Sequence, residues 1–245
     1  MVSFAAEPIV YIGNFAITNS FLDTILVDGI VIGLIVAVRK HLSLVPGKLQ
    51  TITESIISGF YSITESVAGK NSAKIFPFFM TFFIFILIAN WTGLIPGVTA
   101  IGIKEGHELI PLLRPATSDF NVTLGLALVS VVATHILSIK TVGIADYLSR
   151  YFSLNPINLF IGFLEIISEI TKVISLSFRL FGNIFAGEIV LGTVSTMFAI
   201  VFPLPFLMLE VVVGLVQALV FAMLTMAFMA ILMTPHHVQA KEVSH

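Results

Sequence analysis

Charge is scarce in this chain. Only 11% of its 245 residues are Asp, Glu, Lys or Arg, where an ordinary globular domain carries about 25%. Cysteine is absent, which excludes disulfide frameworks and thiolate metal sites. No G-x-x-x-x-G-K-[ST] loop occurs, so the chain has no phosphate-cradling loop of that type. The HEL at His107 lacks the second histidine of a zinc helix. A net charge of −2 offers a nucleic acid no electrostatic support. The start, MVSFAAEPIVYIGNF, has no basic region and carries Glu7 early; it does not read as a signal peptide, so the first apolar span is expected to insert and stay.

What is abundant is apolar surface. Hydrophobic residues make up 57% of the chain, and the mean hydropathy is +1.06. A soluble domain of this length cannot hide that much, so the chain reads as one integral membrane domain over 1–245. A spanning helix needs about 20 apolar residues. Five segments qualify: 21–38, 74–95, 120–139, 155–201 and 206–234. Lys and Arg mark the cytoplasmic side. Arg39, Lys40, Lys48, Lys70 and Lys74 lie between the first two spans, and Lys140 and Arg150 between the third and fourth. Alternate threading puts segment 1–20 outside and the His236-His237 tail inside. Lys104 and Arg114 break the pattern on the outer loop, accompanied by Glu105, Glu108 and Asp119. Between the first two spans, Leu49, Ile52, Ile56, Phe60, Ile63 and Val67 recur at helical spacing, with Glu54 and Glu65 off the stripe. An amphipathic surface helix over 47–67 is expected. The expected fold is therefore all-α, with five crossings and this surface helix.

The fourth segment starts on Asn155-Pro156, a capping side chain followed by proline at the first helical position. Some forty-five residues at about 1.5 Å each reach roughly 68 Å, against about 30 Å of hydrocarbon. Segments 155–201 and 206–234 are thus expected to form a long, tilted hairpin over 155–235. In the middle of the first stands Arg179, a guanidinium that stays charged and that costs roughly 2.5–3.5 kcal/mol at a helix centre on insertion scales. Its neighbours three and four residues away are Ser175, Leu176, Gly182 and Asn183, none of them acidic. Glu188 projects from the opposite face. Glu165, Lys172, Ser175, Arg179 and Asn183 form one polar stripe. On the last helix, Glu210 and Gln217 share a face with Gly214 and Phe221. One turn near residue 198 would put Gln217 level with Arg179 and Glu188 level with Glu210. Two acids sharing an apolar site cannot both ionise cheaply. The layout is a polar stripe on the inner side, a proton-holding pair on the outer side and a fixed cation between. An ion could then cross only on a mobile carrier, and the unpaired Arg179 points to a carboxylate from another chain.

At these residues the chain resembles subunit a of the rotary F-type ATP synthase. LSFRLFGNIFAGE is close to that family's signature, and so is the glutamine of GLVQALVF. AITNS, LIANWTGLIPG and PLLRPATSDFN fit as well. The resemblance implies a non-catalytic stator subunit of a bacterial plasma membrane, with two offset half-channels beside a rotating ring of c subunits. Arg179 would face the ring's carboxylate, with Asn183 and Gln217 lining the arginine region. Glu188 and Glu210 would form the outer path, Ser175, Lys172 and Glu165 the inner one, and Asn90 would support the outer half. Peripheral-stalk b subunits and lipid would be the other partners, nucleotide would be bound only by partner subunits, and no cofactor or metal is implied. The family often pairs an acid with a histidine at the two outer positions; here both are glutamates, and His135 in the third span is the candidate substitute. The competing readings are a stand-alone secondary transporter or ion channel, and a passive scaffold. Transporter folds commonly show repeats, and none is visible here. A scaffold gives no account of Arg179 with Gln217.

Overall fold

A computed structural model describes residues 8–12, 15–40, 42–43, 46–95, 102–105, 108–111, 113–151, 156–197 and 203–234. Seven helices dominate it: α1 (Asn19–Lys40), α2 (Lys48–Ala68), α3 (Ser72–Thr92), α4 (Phe120–Val142), α5 (Ile144–Tyr151), α6 (Pro156–Met197) and α7 (Pro203–Leu232). The fold is all-α in its body, as expected. Two small antiparallel hairpins that periodicity did not signal are added: β1 (Pro8–Ile12) with β2 (Phe15–Thr18), and β3 (Gly102–Glu105) with β4 (Glu108–Pro111). Helix α5 was also unforeseen, being only eight residues long. The Asn155 cap, the α6–α7 turn, His107 and the His236-His237 tail lie outside the described residues, as does the side chain of Leu49.

Four helical segments are long and apolar enough to cross a membrane: Asn19–Lys40, Gln50–Thr92, Phe120–Val142 and Pro203–Leu232. The second of these joins α2 to α3. At Gly69, where φ is +52°, the chain turns between them; that left-handed value favours a residue without a β-carbon. Helix α2 then folds back on α3: Phe60 packs at 5.5 Å from Phe79 and 4.9 Å from Phe83, and Tyr61 edges onto Phe76. Ile52, Ile56, Ile63 and Val67 stay exposed. Helix α6, with 42 residues, runs about 63 Å at 1.5 Å per residue.

The core is a seam of α3, α6 and α7. Phe79, Phe83 and Ile86 of α3 meet Leu176 and Leu180 of α6 and Phe221, Met226 and Met229 of α7. Ala218 and Ala222 bring the α7 backbone close. Between apolar helices in lipid, small residues and hydrogen bonds supply the adhesion that water would otherwise drive. They recur here: Ser130 with Thr225 at 2.8 Å, Thr123 with Ser177 at 3.3 Å, and the Ser138 hydroxyl donating to the Leu232 carbonyl at 2.6 Å.

At the other end of the bundle, Asp23 of α1 is buried and joins three segments. Its Oδ2 accepts from the Thr92 hydroxyl at 3.1 Å and from the Ala116 N–H at 2.8 Å. This clamp sets the short 3-10 turn Ala116–Ser118 that leads into α4, whose N-cap Asp119 accepts from the Asn121 N–H. Asp23→Leu should leave the Ala116 N–H unsatisfied, a loss of about 1–3 kcal/mol. A lower melting temperature of the detergent-solubilised protein, smaller for Asp23→Asn, is the measurement.

Candidate functional site

Helix α6 has two unlike faces because its residues alternate with a helical period. Leu176, Leu180 and Ile184 are buried against the seam. Ser175, Phe178, Arg179, Gly182, Asn183 and Ala186 are exposed. Arg179 therefore stands on an open face with small or polar neighbours on either side. Its Nη2 lies 3.5 Å from Ser175 Oγ. Among the described residues no carboxylate pairs with it. A cavity of about 400 Å³ opens beside it, lined by Lys172, Ser175 and Arg179, by Ser168 and Thr171, and closed on the far side by Leu224 and Phe228 of α7. Ser168 and Thr171 continue the polar stripe one step each, a signal that helical spacing already contained.

Gln217 does not reach Arg179. It is buried in the α6–α7 interface, where its Oε1 accepts from Asn183 Nδ2 at 2.7 Å; its Nε2 is buried with no partner. The level partner is thus one helical turn further along α6 than a symmetric hairpin implies. The reason is orientation: Gln217 points into the helix–helix contact, whereas Arg179 points into the cavity and the open face.

The expected Glu188–Glu210 pair is also rearranged. Glu188 Oε2 lies 3.2 Å from Arg114 Nη2, and the Arg114 side chain is 6% exposed. Arg114 Nε donates to Ser118 Oγ at 2.9 Å. Arg114, the loop cation that charge counting treated as an exception, thus folds inward and compensates Glu188. Glu210, on α7, is buried over Gly187, one position before Glu188 on α6, and a β-carbon at Gly187 would overlap its carboxylate. Among the described residues no cation pairs with Glu210. Asn90 is buried and links three elements: its Nδ2 donates to the Gly214 carbonyl at 2.9 Å, and its Oδ1 accepts from the Thr117 hydroxyl at 2.8 Å. The neighbouring Trp91 donates to the Val211 carbonyl at 3.2 Å.

At the Arg150 end, Glu165 lies 3.6 Å from Arg150 Nη1, and Arg150 Nη2 donates to the Thr234 carbonyl at 3.0 Å. Glu165 is thus part of a clamp joining α5, α6 and the end of α7, and it does not line the cavity. Gly162 permits this clamp, because a β-carbon there would collide with the Tyr151 carbonyl. Lys172, which does line the cavity, donates to Glu169 at 2.7 Å. His135 sits beside this pair, with Tyr147 on its other side. It is therefore far from Glu188 and Glu210 in the bundle, and it does not substitute for an outer histidine. Glu169 and Arg150 were not singled out in the sequence; Glu169 sits off the Arg179 stripe, and its relation to His135 and Tyr147 exists only in three dimensions.

A predominantly helical bundle with Arg179 on an open helix face, no carboxylate paired with it among the described residues, a cavity on one side and the buried Glu210 on the other defines an integral membrane protein. The sequence profile of the family described as ATP synthase A chain matches residues 21–230. The protein named ATP synthase subunit a from Moorella thermoacetica is 31% identical over 223 residues, covering 91% of this chain and 94% of that one. The protein of the same name from Acidothermus cellulolyticus is 34% identical over 218 residues, covering 86% of this chain and 75% of that one. The chain belongs to the ATP synthase A chain family. Membership places it in the membrane sector of an ATP synthase, in a complex with other subunits, and in proton transport.

The Arg114–Glu188 pair provides a direct check on the site. Removing one partner of a buried ion pair costs about 3–5 kcal/mol, because the other charge is left uncompensated. Arg114→Leu should therefore lower the amount of folded protein in membranes sharply, and adding Glu188→Gln should recover part of it. Immunoblotting of membranes from the single and double variants reads the difference.

Proposed function

We propose that the chain is the ion-translocating stator subunit of an F-type ATP synthase. Two offset half-channels pass protons to and from carboxylates on a rotating ring of c subunits. The observation that carries this reading is Arg179: a permanent charge on an exposed helix face, without a carboxylate among the described residues. Ionisable groups at such depth usually mark an ion path. A ring carboxylate arriving in front of Arg179 is attracted in its ionised form, so it must release its proton before it passes. The same cation repels a proton in the cavity and thereby separates the two half-channels.

On the outer side, Glu210 is the acid that takes up and releases the proton. Glu188, compensated by Arg114, and Asn90 build the polar wall around it. Asn183 and Gln217 tie α6 to α7 at the level where the ring passes. On the inner side, the cavity lined by Lys172 and Ser175 leads away from Arg179, and the Glu165–Arg150 clamp holds α5 against α6 outside it. Helix α6 provides the fifth crossing and is strongly inclined, since about 63 Å of helix exceeds about 30 Å of hydrocarbon. The exposed apolar faces of α1 and α2 meet lipid and the peripheral-stalk b subunits. In a bacterial plasma membrane the N-terminus lies outside and the C-terminus in the cytoplasm. Nucleotide chemistry belongs to partner subunits.

Arg179→Ala tests the reading. Coupled ATP synthesis in reconstituted vesicles should disappear, while the complex still co-purifies with its ring. Proton-driven synthesis retained in that variant overturns the assignment.

A further inference from the structure

Behind Lys172 lies a second set of titratable groups drawn from three helices. Glu169 Oε1 accepts from Lys172 Nζ at 2.7 Å. The other Glu169 oxygen lies 3.6 Å from His135 Nε2. His135 Nδ1 lies 2.9 Å from the Tyr147 hydroxyl. His135 belongs to α4, Tyr147 to the short helix α5, and Glu169 and Lys172 to α6. The His135 side chain is 24% exposed and that of Glu169 13%. At the far end of the row, Lys172 lines the cavity that also holds Ser175 and Arg179, its ammonium 4.8 Å from the Phe228 ring centre. Both nitrogens of an imidazole are thus engaged by groups able to give or take a proton. Histidine is the side chain whose ordinary titration falls between pH 5 and 8.

We propose that His135 and Glu169 form a proton relay between the cytoplasmic surface at α5 and the cavity beside Arg179. This rests on the reading of that cavity as the inner half-channel. In the resting form Nδ1 accepts from the Tyr147 hydroxyl and Nε2–H faces Glu169. A proton arriving through Tyr147 forms the Nδ1–H bond, and the hydroxyl oxygen regains a proton from surface water. The Nε2–H bond breaks as its proton moves to Glu169 Oε2. The imidazole stays neutral and the carboxylate becomes a carboxylic acid, loosening its hold on Lys172. Glu169 then releases the proton to water in the cavity and recovers Lys172; surface water takes the Nδ1 proton of the part-exposed imidazole and returns one to Nε2, which restores the resting tautomer. The 3.6 Å separation between Nε2 and Oε2 closes through one water or a small ring movement, as in other proton-transfer pairs outside their working complex. Protons leaving the ring follow the same route in reverse.

The other charged or titratable groups around His135 are few. Arg150 and Glu165 pair with each other. The Tyr151 ring lies tilted, its centre 5.3 Å from that of Tyr147, and burial pushes its phenol above the ordinary value, so it stays protonated. From α7 the neighbours are the Phe228 ring beside Lys172 and the Thr234 carbonyl bound by Arg150.

The test is ATP-driven proton uptake by inverted vesicles carrying the whole complex, as a function of the pH bathing the cytoplasmic face. His135→Gln and Glu169→Gln should each slow uptake per assembled complex by about tenfold, less than a positioned acid–base group supplies to a chemical step. They should also flatten the pH dependence near neutrality, and Glu169→Asp should restore part of the rate. Fewer assembled complexes with unchanged turnover and pH profile would mean a packing role and overturn the relay. Arg179→Ala is measured alongside. If it is uncoupled while both relay variants pump normally, the relay alone fails. If it remains coupled, the half-channel reading fails and the relay with it.

Discussion

A guanidinium held in a membrane helix, with no acid beside it among the described residues, is the constraint around which the protein is built. The surrounding residues make sense as conditions for keeping that charge tolerable yet available. Ser175 lies just within contact range of it, and Gly182 and Ala186 keep the adjacent surface low. The apolar face of α6, through Leu176, Leu180 and Ile184, anchors the helix so that the polar face cannot rotate inward. In the proposed reading, an acid from the same chain would neutralise the cation permanently and leave the site nothing to offer a passing carboxylate.

That open face needs a rigid backing, and α7 supplies it. The α3–α7 contact combines aromatic and methionine packing with backbone acceptors used by Asn90 and Trp91. The Asn183–Gln217 bond then fixes α6 to α7 four residues beyond the arginine. This bond specifies one register, because any slip leaves the buried Gln217 amide oxygen unsatisfied.

The two sides of the arginine solve the charge problem differently. Toward Asp119, Arg114 compensates Glu188, and Glu210 has no cation beside it among the described residues. Toward Arg150, acids and bases pair off one by one, Glu165 with Arg150 and Glu169 with Lys172, with His135 at the edge. In the proposed reading this asymmetry suits the task, because one side presents a single protonatable group and the other a row of them.

Local pattern alone determined the helices and the charge at depth. Runs of apolar residues between Lys and Arg clusters located the segments 21–38, 74–95, 120–139, 155–201 and 206–234, since a helix in lipid must satisfy its backbone internally. Helical spacing placed Ser175 and Lys172 beside Arg179, and the absence of acids at nearby positions was legible at once. Which side chains meet across helices was decided only by tertiary structure. Gln217 chose Asn183, Glu188 chose Arg114, and His135 came to rest beside Tyr147 and Glu169. A symmetric hairpin could not foresee these partners, because helix rotation and loop path set them and a loop cation can reach a partly buried acid 74 residues away. The sequence carries each residue's chemistry, but the direction in which a helix turns its faces depends on packing against distant neighbours, as Asn90 does against Gly214, 124 residues away.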